Sequence, residues 1–147
     1  MPPSPEPEIG PPPIPVKPDV EKWSWEFDGT LDDVAAARHR LSTALERHGW
    51  TQPDVASALL LLSELASNAV VHAQTPFAVT AWVDGIASVA VTDGTTDGDP
   101  EVVVRAPGEG GFGLALVSKL SARWGVHRHE TGKSVWFEFD PDSSSPD

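Results

Sequence analysis

Glu64-Leu65-Ala66-Ser67-Asn68-Ala69-Val70-Val71-His72-Ala73 closes a long Ala- and Leu-rich run that opens at Thr51-Gln52-Pro53-Asp54. Pro53 suits the first turn of a helix, where no backbone N–H is required. The spacing predicts a helix from there to about His72, with Pro76 breaking the chain beyond. Leu61, Leu62, Leu65, Ala66, Ala69 and Val70 supply its packing faces. Glu64, Asn68 and His72 recur at i, i+4 and i+8. At ~100° per residue, steps of four stay within ~40° of one another, so the three share a face. Taken alone, such a polar stripe is ordinarily the solvated side of an amphipathic helix.

Upstream, Trp23-Ser24-Trp25-Glu26-Phe27 alternates apolar and polar residues and reads as a strand. Asp28-Gly29-Thr30 is a turn, and Thr30 suits the cap of a helix with Asp32 and Asp33 in its first turn. Leu31, Val34, Ala37, Leu41 and Leu45 follow at helical spacing, and Gly49 ends the run. Trp23 and Trp25 either pack in the domain's own core or form an interface between copies.

Downstream, Phe77 to Val83 and Ile86 to Thr92 read as strands flanking Asp84-Gly85, a two-residue hairpin signal. Asp93 follows Val89-Ala90-Val91 and precedes Gly94. It either starts a turn or serves as a buried acceptor for an exocyclic amine. Glu101 to Arg105 is a short strand or part of a loop. Four glycines in residues 108–113 then lead into a helix from Leu114 to about Ala122. Glycines let a backbone approach a ligand closely, and a helix N-terminus offers N–H groups to an anion. The run lacks the Lys-Ser/Thr ending of a P-loop and does not follow the first strand of a βαβ unit. Trp124 to Glu130, the turn Thr131-Gly132, and Ser134 to Phe139 close the chain as a second hairpin. The order β-α-α-β-β-loop-α-β-β predicts an α+β, two-layer α/β sandwich: a mixed, mostly antiparallel sheet with helices on one face.

Composition bounds the function. The 147 residues carry a formal charge of −12, which opposes a nucleic-acid reader or docking on anionic lipid. A single nucleotide remains compatible, because backbone N–H groups and a metal ion can hold it. The absence of Cys excludes disulfides, zinc–thiolate sites and thiol catalysis. His127 and His129 lie at i, i+2 on a strand, which is not a metal-ligand spacing. Residues 1–18 hold nine of the fifteen prolines. Residues 1–19 are therefore expected to be a disordered Pro-rich arm, 20–140 the folded domain and 141–147 a disordered tail. The longest pure apolar run, Ala58 to Leu62, falls far short of the ~20 residues that span a bilayer. The N-terminus lacks a signal-peptide pattern, and a cytoplasmic location is expected.

The order polar helix, hairpin, Asp-Gly turn, loop, glycine turn, helix resembles the Bergerat-fold (GHKL) ATPases. Within them it resembles the small anti-sigma-factor serine-kinase-like ATP-binding regulators common in actinobacteria. Glu64 to Ala73 is similar to that family's N-box, Asp93-Gly94 to its first glycine box, and Gly111-Phe112-Gly113-Leu114 to its second. Trp124-Gly125-Val126 and Thr131-Gly132-Lys133-Ser134-Val135-Trp136-Phe137-Glu138 are typical of the subgroup. The resemblance covers roughly residues 25–139.

The resemblance implies roles for individual residues. Asn68 would ligate Mg²⁺ through its amide oxygen, and Glu64 would orient or deprotonate the attacking hydroxyl or water. Asp93, followed by Gly94, would accept a hydrogen bond from the adenine amine of ATP. Gly111, Phe112, Gly113 and Leu114 form the turn that presents main-chain N–H groups to the phosphates. Thr131 or Ser134 would join the water network near adenine. Residues 95–110 would form an ATP lid. His72 reaches the nucleotide or only finishes its helix. The implied protein is a serine/threonine kinase that phosphorylates a small anti-sigma antagonist and binds a sigma factor, with homodimerisation through the first strand and its neighbouring helix. Two positions depart from the pattern. Thr95 stands where the first glycine box usually has glycine, and Glu109 and Phe112 stand where a basic residue usually meets the γ-phosphate. Phosphoryl transfer relies on neutralising that charge. The alternative is therefore a catalytically weak or inactive nucleotide-binding protein that sequesters its partner. A free-standing histidine-kinase catalytic domain is opposed by the lack of a phosphoacceptor helix pair.

Overall fold

The computed structural model describes residues 7–12, 20–95 and 113–142. In chain order the elements are β1 (Glu8–Ile9), β2 (Glu21–Phe27), α1 (Leu31–Arg47), α2 (Gln52–Asn68), a π-helical turn (Ala69–Ala73), β3 (Phe77–Val83), β4 (Ala87–Asp93), α3 (Gly113–Leu120), β5 (Arg123–His129) and β6 (Gly132–Phe139). Among the described residues the strands form one six-stranded sheet in the order β1-β5-β6-β4-β3-β2. Every neighbouring pair is antiparallel except β1 with β5. This is the expected α+β sandwich.

Strand alternation divides the sheet into two faces. Phe77, Val79, Ala81 and Val83 of β3, Val89 and Val91 of β4, and Val135, Phe137 and Phe139 of β6 join Leu41, Leu45, Leu61, Leu62 and Leu65 in one core. Each fully buried Leu contributes roughly 1.5–3 kcal/mol relative to exposure. Trp23, Trp25 and Phe27 of β2 pack against this core and stay partly exposed. The stretch Gln52–Ala73 is long and apolar enough to cross a membrane by length and composition alone. Here its Val55, Ala58, Leu61, Leu62, Leu65 and Ala66 are buried in the domain core.

Local chemistry accounts for the ends of the elements. The N–H groups of Gly29 and Thr30 both donate to Asp33 Oδ2 at 2.9 Å, closing the start of α1. The β3–β4 loop differs from the expected two-residue turn. Val83 pairs with Ala87, so Asp84, Gly85 and Ile86 form the loop, and the Asp84 N–H donates to the Ile86 carbonyl at 3.1 Å. Regular α-helix in the second helix stops at Asn68 instead of about His72. The π turn carries the chain on to Gln74, which is left-handed at φ 56°. The possible strand at 101–105 lies outside the described residues.

Within the Pro-rich arm, Glu8 and Ile9 add to the sheet beside Gly125 and Val126. The Gly10 N–H donates to the Val126 carbonyl at 3.1 Å. Arg123 Nε and Nη2 donate to the two Glu8 carboxylate oxygens, each at 2.7 Å. The Trp136 indole N–H donates to the Gly10 carbonyl at 3.0 Å. This contact lies on the face opposite α1 and α2, where Trp82, Ala90 and Trp136 form a second buried cluster. Gly125 is required here, because a Cβ would stand 2.5 Å from the Glu8 carbonyl oxygen and 2.6 Å from the Trp136 ring.

The Arg123 hydrogen bond holds the Glu8 carboxyl below the usual carboxylate range. The attachment is therefore complete above that range and is lost as pH falls through the lowered value. Arg123→Ala is expected to speed hydrogen exchange at the Gly10 amide and the Trp136 indole at neutral pH. Global stability should change by less than ~1 kcal/mol, as for other exposed ion pairs. Amide and indole exchange followed by NMR checks both.

Candidate functional site

The end of α2 runs through the π turn to one end of the sheet, where β3 begins at Phe77. Glu64 and Asn68 lie one helical turn apart and are both half-buried. Neither side chain has a hydrogen-bond or ion-pair partner among the described residues. Burial holds the Glu64 carboxyl above its usual range, which brings a carboxylate toward the pKa of a working general base. His72 falls in the π turn and is exposed, beyond the α-helical spacing that would align it with Asn68. π turns and non-glycine residues at positive φ gather at functional sites, because both carry a local cost. Here they bring the end of α2 round to Thr75-Pro76-Phe77.

Thr75 joins the helix end to the sheet end: its Oγ1 accepts the Gly94 N–H at 2.9 Å. Asp93, the last residue of β4, pairs across the strands with Phe77 on one side and Lys133 on the other. Its side chain is almost fully buried. Oδ1 accepts the Thr95 N–H at 2.8 Å, and Oδ2 accepts from Lys133 Nζ at 2.8 Å. Gly132 makes this corner possible, since a Cβ there would collide with the Asp93 carbonyl oxygen.

Of the expected site residues, the structure brings Asp93 and Gly94 to the end of the sheet next to the end of α2, which carries Glu64 and Asn68. It does not bring Ser134 there. Alternation along β6 turns Ser134 to the face opposite α1 and α2, where its hydroxyl lies 2.7 Å from Thr92 Oγ1. Thr131 is exposed in the hairpin, 3.3 Å from His129 Nδ1. The residue between Gly132 and Ser134, Lys133, shares the face of Asp93. Sequence reading passed over it, although its position one residue before Ser134 in a period-two strand was the available signal. Gly113 and Leu114 form the first turn of α3, which packs on α2. Gly111 and Phe112 lie outside the described residues, as do Glu109 and most of the expected lid.

The donor set fits a nucleotide with a hard cation. An amide oxygen and a carboxylate without partners among the described residues sit on one helix, and Mg²⁺ takes few protein ligands and oxygen atoms only. A buried carboxylate with acceptor capacity stands at the sheet end, and the first turn of α3 carries main-chain N–H groups. Among the described residues no group of three or more His, Cys, Asp or Glu could hold a metal ion by itself.

A family model described as a histidine kinase-like ATPase domain matches residues 27–139. No curated protein matches the sequence. Thirteen solved chains match. One is the crystal structure of the RsbU and RsbW domains of Rv1364c from Mycobacterium tuberculosis. Its TM-score is 0.64 at 20% sequence identity, over 82% of this chain and 32% of that one. The chain therefore spans about a third of that structure's length, and the likeness is one of fold.

Two outcomes are expected from this geometry. Because its carboxyl is raised, Glu64 weakens the folded state as pH climbs through the raised value and has no such effect below the ordinary carboxylate range. Glu64→Gln should therefore raise the unfolding midpoint near pH 7, and the gain should vanish below about pH 4. Gly132→Ala should cost roughly 1–3 kcal/mol by overpacking. Denaturant unfolding measures both.

Proposed function

The chain belongs to the histidine kinase-like ATPase domain family, and from that premise we propose that it is an ATP- and Mg²⁺-binding regulator with anti-sigma-factor-type serine/threonine kinase activity. Its substrate would be a small antagonist protein and its second partner a sigma factor, in the cytoplasm. The observation that carries the reading is the path of the chain within the family match: α2 ends, through the π turn and Thr75, at the end of the sheet that holds Asp93. Glu64 and Asn68 on α2 have no partner among the described residues, and Asp93 is buried at the end of β4. The likeness in fold to a structure containing an RsbW domain supports the same regulatory class.

In this reading Asn68 holds Mg²⁺ through its amide oxygen. The bound cation would neutralise phosphate charge, its remaining positions filled by phosphates and water. Asp93 accepts a hydrogen bond from the adenine amine. The first turn of α3 offers main-chain N–H groups to the phosphates. Glu64 orients the attacking hydroxyl of the substrate protein and takes its proton, for which a raised carboxyl is suited. Among the described residues β2 is an edge strand, and with the neighbouring α1 it is the surface for a homodimer.

Calorimetry with a non-hydrolysable ATP analogue, with and without Mg²⁺, tests the site. Binding should depend on Mg²⁺, and Asn68→Ala should remove that dependence. Asp93→Ala should weaken binding at least tenfold, the loss of one charge-assisted hydrogen bond being worth roughly 1.5–3 kcal/mol. Glu64→Gln should leave analogue binding nearly unchanged while lowering phosphoryl transfer to the antagonist by about 10²-fold or more. Equal transfer by this variant would remove Glu64 from its role. Mg²⁺-dependent binding without any transfer by the wild type would favour the sequestration reading instead.

A further inference from the structure

The ion pair between Lys133 and Asp93 deepens the nucleotide reading and rests on it. Lys133 Nζ stands 2.8 Å from Asp93 Oδ2, with the two side chains only 14% and 5% exposed. The main-chain N–H of Thr95 grips the other oxygen at 2.8 Å. The carboxylate is held from both sides, so it cannot turn without losing a charge-assisted or a main-chain hydrogen bond. An ionised carboxylate offers about four acceptor sites on its two oxygens. Both partners here are donors, and what remains is acceptor capacity alone. Asp93 and Lys133 are a cross-strand pair on the helix-facing side of the sheet, in line with Val91 and Val135, which pair next to them. Ser134, one of two residues expected in the water network near adenine, lies on the opposite face with Thr92.

The geometry points to Lys133 as a positioning residue for the nucleobase. By fixing the Asp93 carboxylate it aims the remaining acceptor at an exocyclic amine, and so makes the site select a 6-aminopurine nucleotide over the same nucleotide without the amine. Lys133 acts through Asp93 and need not touch the ligand. A lysine that only stabilised the fold would affect both nucleotides alike.

The test compares Mg²⁺-ATP with the Mg²⁺ complex of purine riboside triphosphate, which lacks only the 6-amino group, on the full chain. The wild type should bind ATP more tightly. Lys133→Met should weaken ATP by about tenfold, as expected for a disordered hydrogen bond to a charged group. The deamino nucleotide should change by less than about twofold, so the preference collapses. Lys133→Arg, which keeps charge and donors, should retain it. Equal losses for both nucleotides, no loss, or tighter ATP binding in Lys133→Met would overturn the assignment. If Lys133→Met does not fold, the wild type decides. The Lys133 side-chain NMR signal should move on adding ATP and stay in place with the deamino nucleotide, and the same response to both would overturn it. A wild type that binds neither nucleotide fails the underlying reading and this inference together. A wild type that prefers ATP, with Lys133→Met keeping that preference, defeats this inference alone.

Discussion

The apolar side of α2, buried against β4 and β6, sets the frame in which the candidate site exists. Leu61, Leu62 and Ala66 are fully buried and Leu65 nearly so. With that face committed to the core, helical periodicity leaves Glu64 and Asn68 half-buried beside it, one turn apart. Apolar packing of this kind is worth several times any single polar contact in the site. The polar pair can therefore stay without partners in the described structure, because the core and not the pair holds the helix.

A second constraint acts at the end of the sheet. A strand has only two faces, so a shift of one residue in β6 would exchange Lys133 for Ser134 beside Asp93. The register is pinned by Gly132, whose missing Cβ allows contact with the Asp93 carbonyl, and by the apolar residues Val135, Phe137 and Phe139, which all need the core side. A packing requirement far along the strand thus decides which polar side chain meets a buried carboxylate. The π turn and the left-handed Gln74 serve the same corner from the helix side, bringing Thr75 within hydrogen-bonding distance of Gly94.

The opposite face of the sheet follows another logic. Among the described residues it carries no helix, yet Trp82, Ala90 and Trp136 are buried there. The arm contributes the Gly10 carbonyl to Trp136 and the Glu8 carboxylate to Arg123. These contacts are polar and few: Ile9 is fully exposed, so β1 gains little from apolar burial. The arm is held by geometry that Gly125 permits and charge that acid removes.

Much of this protein was legible in the residues themselves. Apolar spacing of 3.6 and 2.0 indicated α1, α2 and strands β2 to β6, though not β1 in the arm expected to be disordered, and the order of elements implied the sandwich. The spacing of Glu64 from Asn68 and the resemblance of both to a known motif pointed to the helical half of the candidate site, while Asp93 suggested the other. These features are local, set by side chains within a turn or a strand of one another. What the sequence could not decide was long-range. The pairing of Lys133 with Asp93 spans 40 positions, the docking of Glu8 on Arg123 spans 115, and the exclusion of Ser134 depends on strand register. Each arises only when the core closes and brings distant strands side by side, because register is chosen by total apolar burial and not by the polar residues it happens to join.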